Sequence, residues 1–221
     1  MEAISNPWPL YFEVMLITKN PYSNIGIITL WSKKEIYSNL LEDTTYNTIG
    51  QLYSREEGMS TLVRNLLANK HIRDLVVLGT DLNNCGPILI DFFKNGVDEK
   101  NNIISKHEGS IDKEVSKDSI NLLRNSVELH DLRDVKDNQK VREYIKNLQK
   151  KPPYGHCELF KESKIELPKH FPSDKGAFKV SGDYIKDVWV KALKNIDKFG
   201  HIKKTQYGDK QKEIICLISL I

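Results

Sequence analysis

The stretch "GTDLNNCGP", residues 79–87, gathers two glycines, an aspartate, two asparagines and a cysteine between two apolar runs. Gly79 and Gly86 permit close backbone approach or a positive φ, while Thr80, Asp81, Asn83 and Asn84 offer polar contacts to a small ligand. Cys85 is a candidate nucleophile if it sits at the start of the following helix, where the dipole lowers a thiol pKa. It is equally a small hydrophobe suited to burial. The stretch contains no G-x-G-x-x-G and no G-K-[ST], so neither a dinucleotide fingerprint nor a phosphate loop is present. Two readings stand: a ligand site at the end of a strand, or a tight strand-to-helix turn.

Other groups carry weaker chemistry. Tyr154, His156 and Cys157 lie together in "PPYGHCELF", but His156 and Cys157 are adjacent and point to opposite faces of an extended segment, which disfavours a dyad or a shared metal. His130, among apolar positions, and His71, at a strand start, read as structural or surface residues. Lys203, Lys204 and Lys210 surround "TQYGDKQ" and are candidates for contact with a phosphate, or else solvated charges. No residue of the chain is assigned a catalytic role.

Composition excludes several classes. The three cysteines are odd in number and form no C-x-x-C pair, and the six histidines show no H-E-x-x-H spacing, so neither a disulfide scaffold nor a metal site is expected. A net charge of +3 does not mark a nucleic-acid binder. No apolar run reaches the length of a membrane span, and "MEAISNPWPLYFEV" has neither a basic segment nor an apolar core of a secretory signal, so a cytoplasmic location is the expectation.

The elements that must position these residues follow from periodicity. "IGIITLW" (25–31), "IRDLVVLG" (72–79) and "VELHDLRDV" (127–135) read as strands, and "YFEVMLIT" (11–18) as a shorter one. Helical patterns run through 49–70, where Met59, Leu62, Val63, Leu66 and Leu67 share a face and Ser60 is a cap candidate. Further helices are expected over "PILIDFFKNG" (87–96), ending at Gly96, over "SKDSINLLRNS" (116–126) starting near Ser116 or Asp118, and over 138–151; "NNIIS" (101–105) is a brief extended piece. Alternating strands and helices imply a Rossmann-like, three-layer α/β domain with a mostly parallel sheet over residues 1–150. Within it, Ile25–Leu30, Leu75–Leu78 and Val127–Leu132 belong to one sheet.

Composition changes at Lys150-Lys151-Pro152-Pro153. Residues 151–183 read as a linker or an extended wrap, and "ELPKHFPSDKG" (166–176) cannot be an element interior because its prolines lack backbone donors. A helix follows, with Val188, Trp189, Ala192, Leu193 and Ile196 as its stripe and Gly200 as its stop, then an apolar strand over 212–221. One helix and one strand cannot cover that strand, so self-association, the first domain or a further domain is expected to do so.

Residues 8–148, through "WPLYFE", "NIGIITLWS", "GMSTLVRNLLANKHIRDLVVLG", "NGVDEKNNIISKHEG" and "LLRNSVELHDLRDV" in that order, resemble the soluble domain of the A subunit of the archaeal tetrahydromethanopterin S-methyltransferase. The resemblance implies a corrinoid at the sheet's edge loop, with cobalt held by a histidine in the loop after the "IR-x-L" strand. Here Asn84 or Cys85 stands where that histidine is expected, which implies the shell of the domain without corrinoid binding through a histidine. Residues 184–221 resemble the opening helix and first strand of archaeal-type thymidylate synthases, on a helix ending at Gly200, a charged turn "YGDKQKE" and an apolar strand. That resemblance implies a reduced pterin as cofactor of a longer protein whose catalytic cysteine lies downstream, with Lys203, Lys204 and Lys210 near a phosphate. Together they imply part of a thymidylate-synthase-related protein of one-carbon metabolism. The alternative is a non-catalytic binding or assembly module derived from the corrinoid-binding component of a methyltransferase.

Overall fold

The computed structural model describes residues 2–160, 178–204, 210–215 and 217–221. The chain divides into two compact units, Met1–Ser163 and Lys164–Ile221.

The first unit is built on a five-stranded sheet. Strands β2 (Ile25–Ile28), β3 (Thr48–Gly50), β4 (Asp74–Val77) and β5 (Glu128–Asp131) run parallel, and the two-residue β1 (Ile17–Thr18) pairs antiparallel with β3, giving the order β1-β3-β2-β4-β5. Every residue of β2 and of β4 is buried, which shows why these runs do not alternate: both faces of a parallel sheet are covered. On one face Ile28, Leu75 and Val77 pack with α2 (Glu57–Ala68), α3 (Cys85–Asn95) and α4 (Lys117–Ser126) through Met59, Val63, Ile88, Phe92 and Ile120. On the other, Ile25, Ile27, Ile49 and Val76 meet α1 (Lys34–Leu40) and α5 (Asn138–Lys146) through Leu40 and Ile145. This is the Rossmann-like, three-layer arrangement expected from the alternation of elements.

Local signals place the helix ends. Ser116 caps α4 by accepting the Ser119 N–H, and Asp137 caps α5 by accepting those of Gln139 and Lys140. Gly96 ends α3 at φ +82°, a conformation that favours glycine. Three expectations need correction. Thr48–Gly50 is a strand rather than the start of a helical pattern, because Ile49 sits between β1 and β2 in the sheet. Ser60 lies inside α2 and is buried, and its hydroxyl accepts the Asp112 N–H instead of capping the helix. Of residues 11–18 only Ile17–Thr18 forms a strand, since Glu13–Met15 is a 3-10 turn. Helix α1 adds an element that sequence reasoning missed, because "KEIYSNL" spans only two turns and its apolar positions Ile36, Tyr37 and Leu40 are few.

Beyond α5 the chain runs without regular structure along α2. The N–H of Tyr154 bonds to the Lys70 carbonyl at 3.2 Å and that of Glu158 to the Leu67 carbonyl at 2.9 Å. Lys70 is 1% exposed, with its ammonium paired to Glu158 and 5.3 Å from the centre of the Tyr154 ring. The stretch therefore carries its own buried ionic anchor. The following residues, including "ELPKHFPSDKG", lie outside the described residues.

In the second unit β6 (Phe178–Ser181) pairs parallel with β9 (Leu217–Leu220), and β7 (His201–Lys204) pairs antiparallel with β8 (Lys210–Glu213). Helix α6 (Ile185–Phe199) buries Val188 and Ala192 against this unit, with Val180. The single strand expected over 212–221 is thus two strands in two small sheets, and the partner of its apolar half is β6, upstream of α6. The expected stripe is only partly buried: Trp189 is 64% exposed and Leu193 47%.

Candidate functional site

Topology selects one location. From β2 the chain passes to β3 on one side and then returns to β4 on the other, so the loops leaving the carboxyl ends of β2 and β4 diverge at a topological switch point. In open α/β sheets ligands bind in the crevice between such loops. The β4 loop is the one singled out from the sequence, Gly79 to Gly86. The β2 loop contributes Thr29, Trp31 and Ser32.

The two loops close on each other. The Trp31 N–H bonds to the Thr80 carbonyl at 3.1 Å, and the Thr80 N–H to the Ser32 hydroxyl at 3.0 Å. Gly79 has φ +83°, and a Cβ there would stand 2.4 Å from the Thr29 carbonyl oxygen, so this close approach requires glycine. Asn83 extends the bridge: its Oδ1 accepts Trp31 Nε1–H at 2.9 Å, and its Nδ2 donates to the Tyr53 carbonyl at 2.7 Å. The Trp31 and Tyr53 rings lie 5.5 Å apart.

Asp81 closes the remaining opening. Its carboxylate accepts the N–H groups of Asn83 and Cys85, each at 3.2 Å, and of Gly86 at 2.8 Å. The first turn of α3 is where an external anion would otherwise be held. Here the protein supplies its own carboxylate. Arg133, after β5, lies 3.8 Å from Asp81 and makes a two-point pair with Asp131, both contacts at 2.7 Å. A Cβ on Gly86 would meet Arg133 Nη1 at 2.4 Å, so the second glycine also serves a close approach.

The remaining loop candidates divide. Asn84 is exposed at φ +65°. Cys85 is fully buried, and burial, followed by the nearby Asp81 charge, pushes its thiol up to about 11. A protonated, inaccessible thiol is neither a nucleophile nor a ready metal ligand, so the helix dipole argument for Cys85 is corrected by desolvation. Trp31, Tyr53 and Arg133 were missed by sequence reasoning. Their one signal was position, each following closely on the carboxyl end of a strand.

A second cluster sits at the opposite ends of β4 and β5. Asp74, with no exposed surface, accepts from Asn24 Nδ2 at 2.6 Å, contacts His130 Nε2 at 3.0 Å, and pairs with Lys151 at 2.5 Å. Lys151 also meets Glu128 at 2.9 Å, and His130 Nδ1 meets the Tyr144 hydroxyl at 2.9 Å. Asp74, Glu128 and His130 have the ligand types and spacing of a cation site. The Lys151 ammonium already supplies the positive charge to both carboxylates, so the cluster reads as an ionic anchor. His130 is buried between Asp74 and Tyr144 rather than at the surface.

Lys203, Lys204 and Lys210 belong to the β7–β8 ladder. Lys203 pairs with Glu213 at 3.2 Å across the β7–β8 ladder, and Lys204 and Lys210 are opposed in register at its end. Lys210 is exposed, while the side chain of Lys204 and the turn 205–209 lie outside the described residues, as does Cys216. Among the described residues no helix is long and apolar enough to cross a membrane.

Residues 2–159 match the MtrA protein family, described as the A subunit of tetrahydromethanopterin S-methyltransferase. No curated protein matches the chain. The matched span ends ahead of residues 184–221 and lends no support to the thymidylate synthase segment expected there.

Proposed function

Because the chain belongs to the MtrA family of tetrahydromethanopterin S-methyltransferase, we propose that it is a non-catalytic binding or assembly module, one that keeps the shell of a corrinoid carrier without its histidine ligand. One observation carries this reading. None of the loops leaving the carboxyl ends of the four parallel strands, residues 29–33, 51–56, 78–84 and 132–137, contains a histidine. An imidazole ligand cannot come from the loops that face the switch-point crevice. The groups that replace it do not serve: Cys85 is buried and protonated, and Asp81 and Asn83 are occupied by backbone and Trp31. An amide in place of imidazole also lacks its basicity and the second-shell support that orients a metal-bound ring.

Titration of the purified chain with aquocobalamin, followed by visible spectroscopy and equilibrium dialysis, tests the proposal. The expected result is a cobalamin spectrum unchanged by the protein. A spectral shift typical of imidazole ligation, lost on replacing one histidine, would overturn it.

The assembly half of the reading is supported by the apolar surface of α6, where Ile185, Trp189 and Leu193 are exposed. Large exposed apolar side chains grouped on one element mark interaction surfaces. Light scattering of the full chain and of a Trp189→Glu variant checks it. Identical monomer masses at all concentrations would remove this support.

A further inference from the structure

A cavity of about 460 Å³ lies between the sheet, α2 and the N-terminal segment, and no residue of the 79–86 loop lines it. It was not visible in the sequence, because its walls come from four separate stretches of chain. Its volume falls within the range of small-molecule sites.

Gly26 and Gly50 let Ile72, Leu75 and Leu16 pack close to the sheet beside this space, and α2 faces it with Leu62 and Leu66. Ile28, Thr48 and Leu75 line the same sheet side, so the space is a slot between a partly glycine-lined sheet surface and one helix. Aromatic groups crowd it: Trp8, Tyr11, Phe12 and Tyr53 all contribute. Phe12 and Tyr53 are half exposed, at 47% and 45%, and stand with Met15 where the slot meets solvent. Lys34 and Glu57 are opposite in charge and are the lining residues that carry full charges, so the slot as a whole favours neither sign.

The roof is fastened by specific polar bonds. Asn65 of α2 accepts the N–H groups of Leu10 at 3.1 Å and Tyr11 at 3.2 Å through Oδ1, and donates to the Tyr11 carbonyl at 3.2 Å. The Tyr11 hydroxyl donates to the Phe160 carbonyl at 3.3 Å, beside Arg64, which donates to the same oxygen at 2.9 Å. These bonds hold the segment across the slot instead of letting it collapse into it. A well-packed interior leaves few voids larger than water, so a held-open apolar space of this size is a feature of the fold.

We infer that this slot is a binding site for an uncharged, flat aromatic molecule of two or three rings. Stacking on Trp8 and Tyr53 and burial against Leu62 and Leu66 provide the recognition. A net charge on the ligand would meet a like charge at either Glu57 or Lys34 and lose hydration. The slot shares Tyr53 and its loop with the switch-point crevice but none of residues 79–86, and the inference holds or fails separately from the corrinoid question.

N-phenyl-1-naphthylamine, a neutral two-part aromatic whose emission rises in apolar surroundings, is the probe. With the full chain it should bind at one equivalent and accept excitation energy from Trp8, so that Trp8→Phe lowers the sensitised emission. Thr61→Trp, on the half-exposed side of α2, and Leu62→Trp each place a ring in the slot and should weaken binding at least tenfold, with circular dichroism and thermal midpoint reporting whether each variant stays folded. No saturable binding to the parent chain would overturn the inference. So would parent-like binding in the variants that remain folded. The aquocobalamin titration reads the proposed function independently, since none of these substitutions touches residues 79–86.

Discussion

The carboxylate of Asp81 accepts the backbone N–H of Gly86 at 2.8 Å, so the amino end of α3 is closed by the loop that precedes it. The position at which an α/β fold offers positive charge to a ligand is filled from within. Replacing Asp81 with alanine should cost about 1–2 kcal/mol, the range for loss of a helix cap with its dipole interaction. Urea unfolding of the purified variant measures this. A change below a few tenths of a kcal/mol would mean that solvent serves these donors equally well.

Gly79 is expected to be among the least replaceable residues of the switch point. Alanine there combines a positive φ with a Cβ placed 2.4 Å from the Thr29 carbonyl oxygen, so the β2 and β4 loops must separate. Strain of this kind costs about 1–3 kcal/mol. Loss of the Trp31–Asn83 contact should accompany it and be visible as a change in Trp31 fluorescence, best read in a background where Trp8 and Trp189 are phenylalanine. An unchanged melting temperature would contradict the geometry described.

Cys85 should resist alkylation and disulfide exchange in the folded protein. With the thiol pushed up to about 11, only about one molecule in a thousand carries a thiolate at pH 8. In a variant with Cys157 and Cys216 changed to serine, 5,5′-dithiobis(2-nitrobenzoate) should react at least a hundredfold faster in urea than in buffer. Equal rates would show that the loop opens readily.

The Asp74 anchor should make stability fall in acid. Burial opposes ionisation of Asp74 most strongly, but the hydrogen bonds from His130, Lys151 and Asn24 together outweigh it and hold the carboxyl below its ordinary value. A depressed folded-state pKa contributes stability that is fully present above the unfolded value, near 4, and is lost as pH falls through the folded value. Unfolding free energy measured from pH 6 downward should therefore decline below about pH 4, and the decline should be shallower in Asp74→Asn. Lys151→Met should cost about 2 kcal/mol at neutral pH, because it leaves a buried carboxylate with two partners instead of three. A fully stable Lys151→Met protein would show that the ammonium is dispensable.

The sequence by itself determined the kind of fold, because that information is local and periodic. Ile25–Ile28 and Leu75–Val77 are apolar enough to be buried on both sides, and the stripe Met59–Val63–Leu66 commits α2 to the sheet. Ser116 and Gly96 announced helix ends for the same reason: a cap or a positive φ is decided within a few residues. The β4 loop was legible as a candidate from its glycines and polar residues, and the missing histidine could be read directly.

Tertiary structure decided what those residues do. Asp81 looked available to a ligand until α3 brought three N–H donors onto its carboxylate, and of the two readings open for Cys85 packing selects the buried hydrophobe. Thr48–Gly50 is too short to announce a strand and becomes one only between β1 and β2. The Asp74–Lys151 pair and the slot beneath Trp8 join residues far apart in the chain. Such contacts depend on where separate elements meet. Residue type records the capacity of a side chain to bind, ionise or pack, whereas the three-dimensional neighbours determine which of those capacities is already spent.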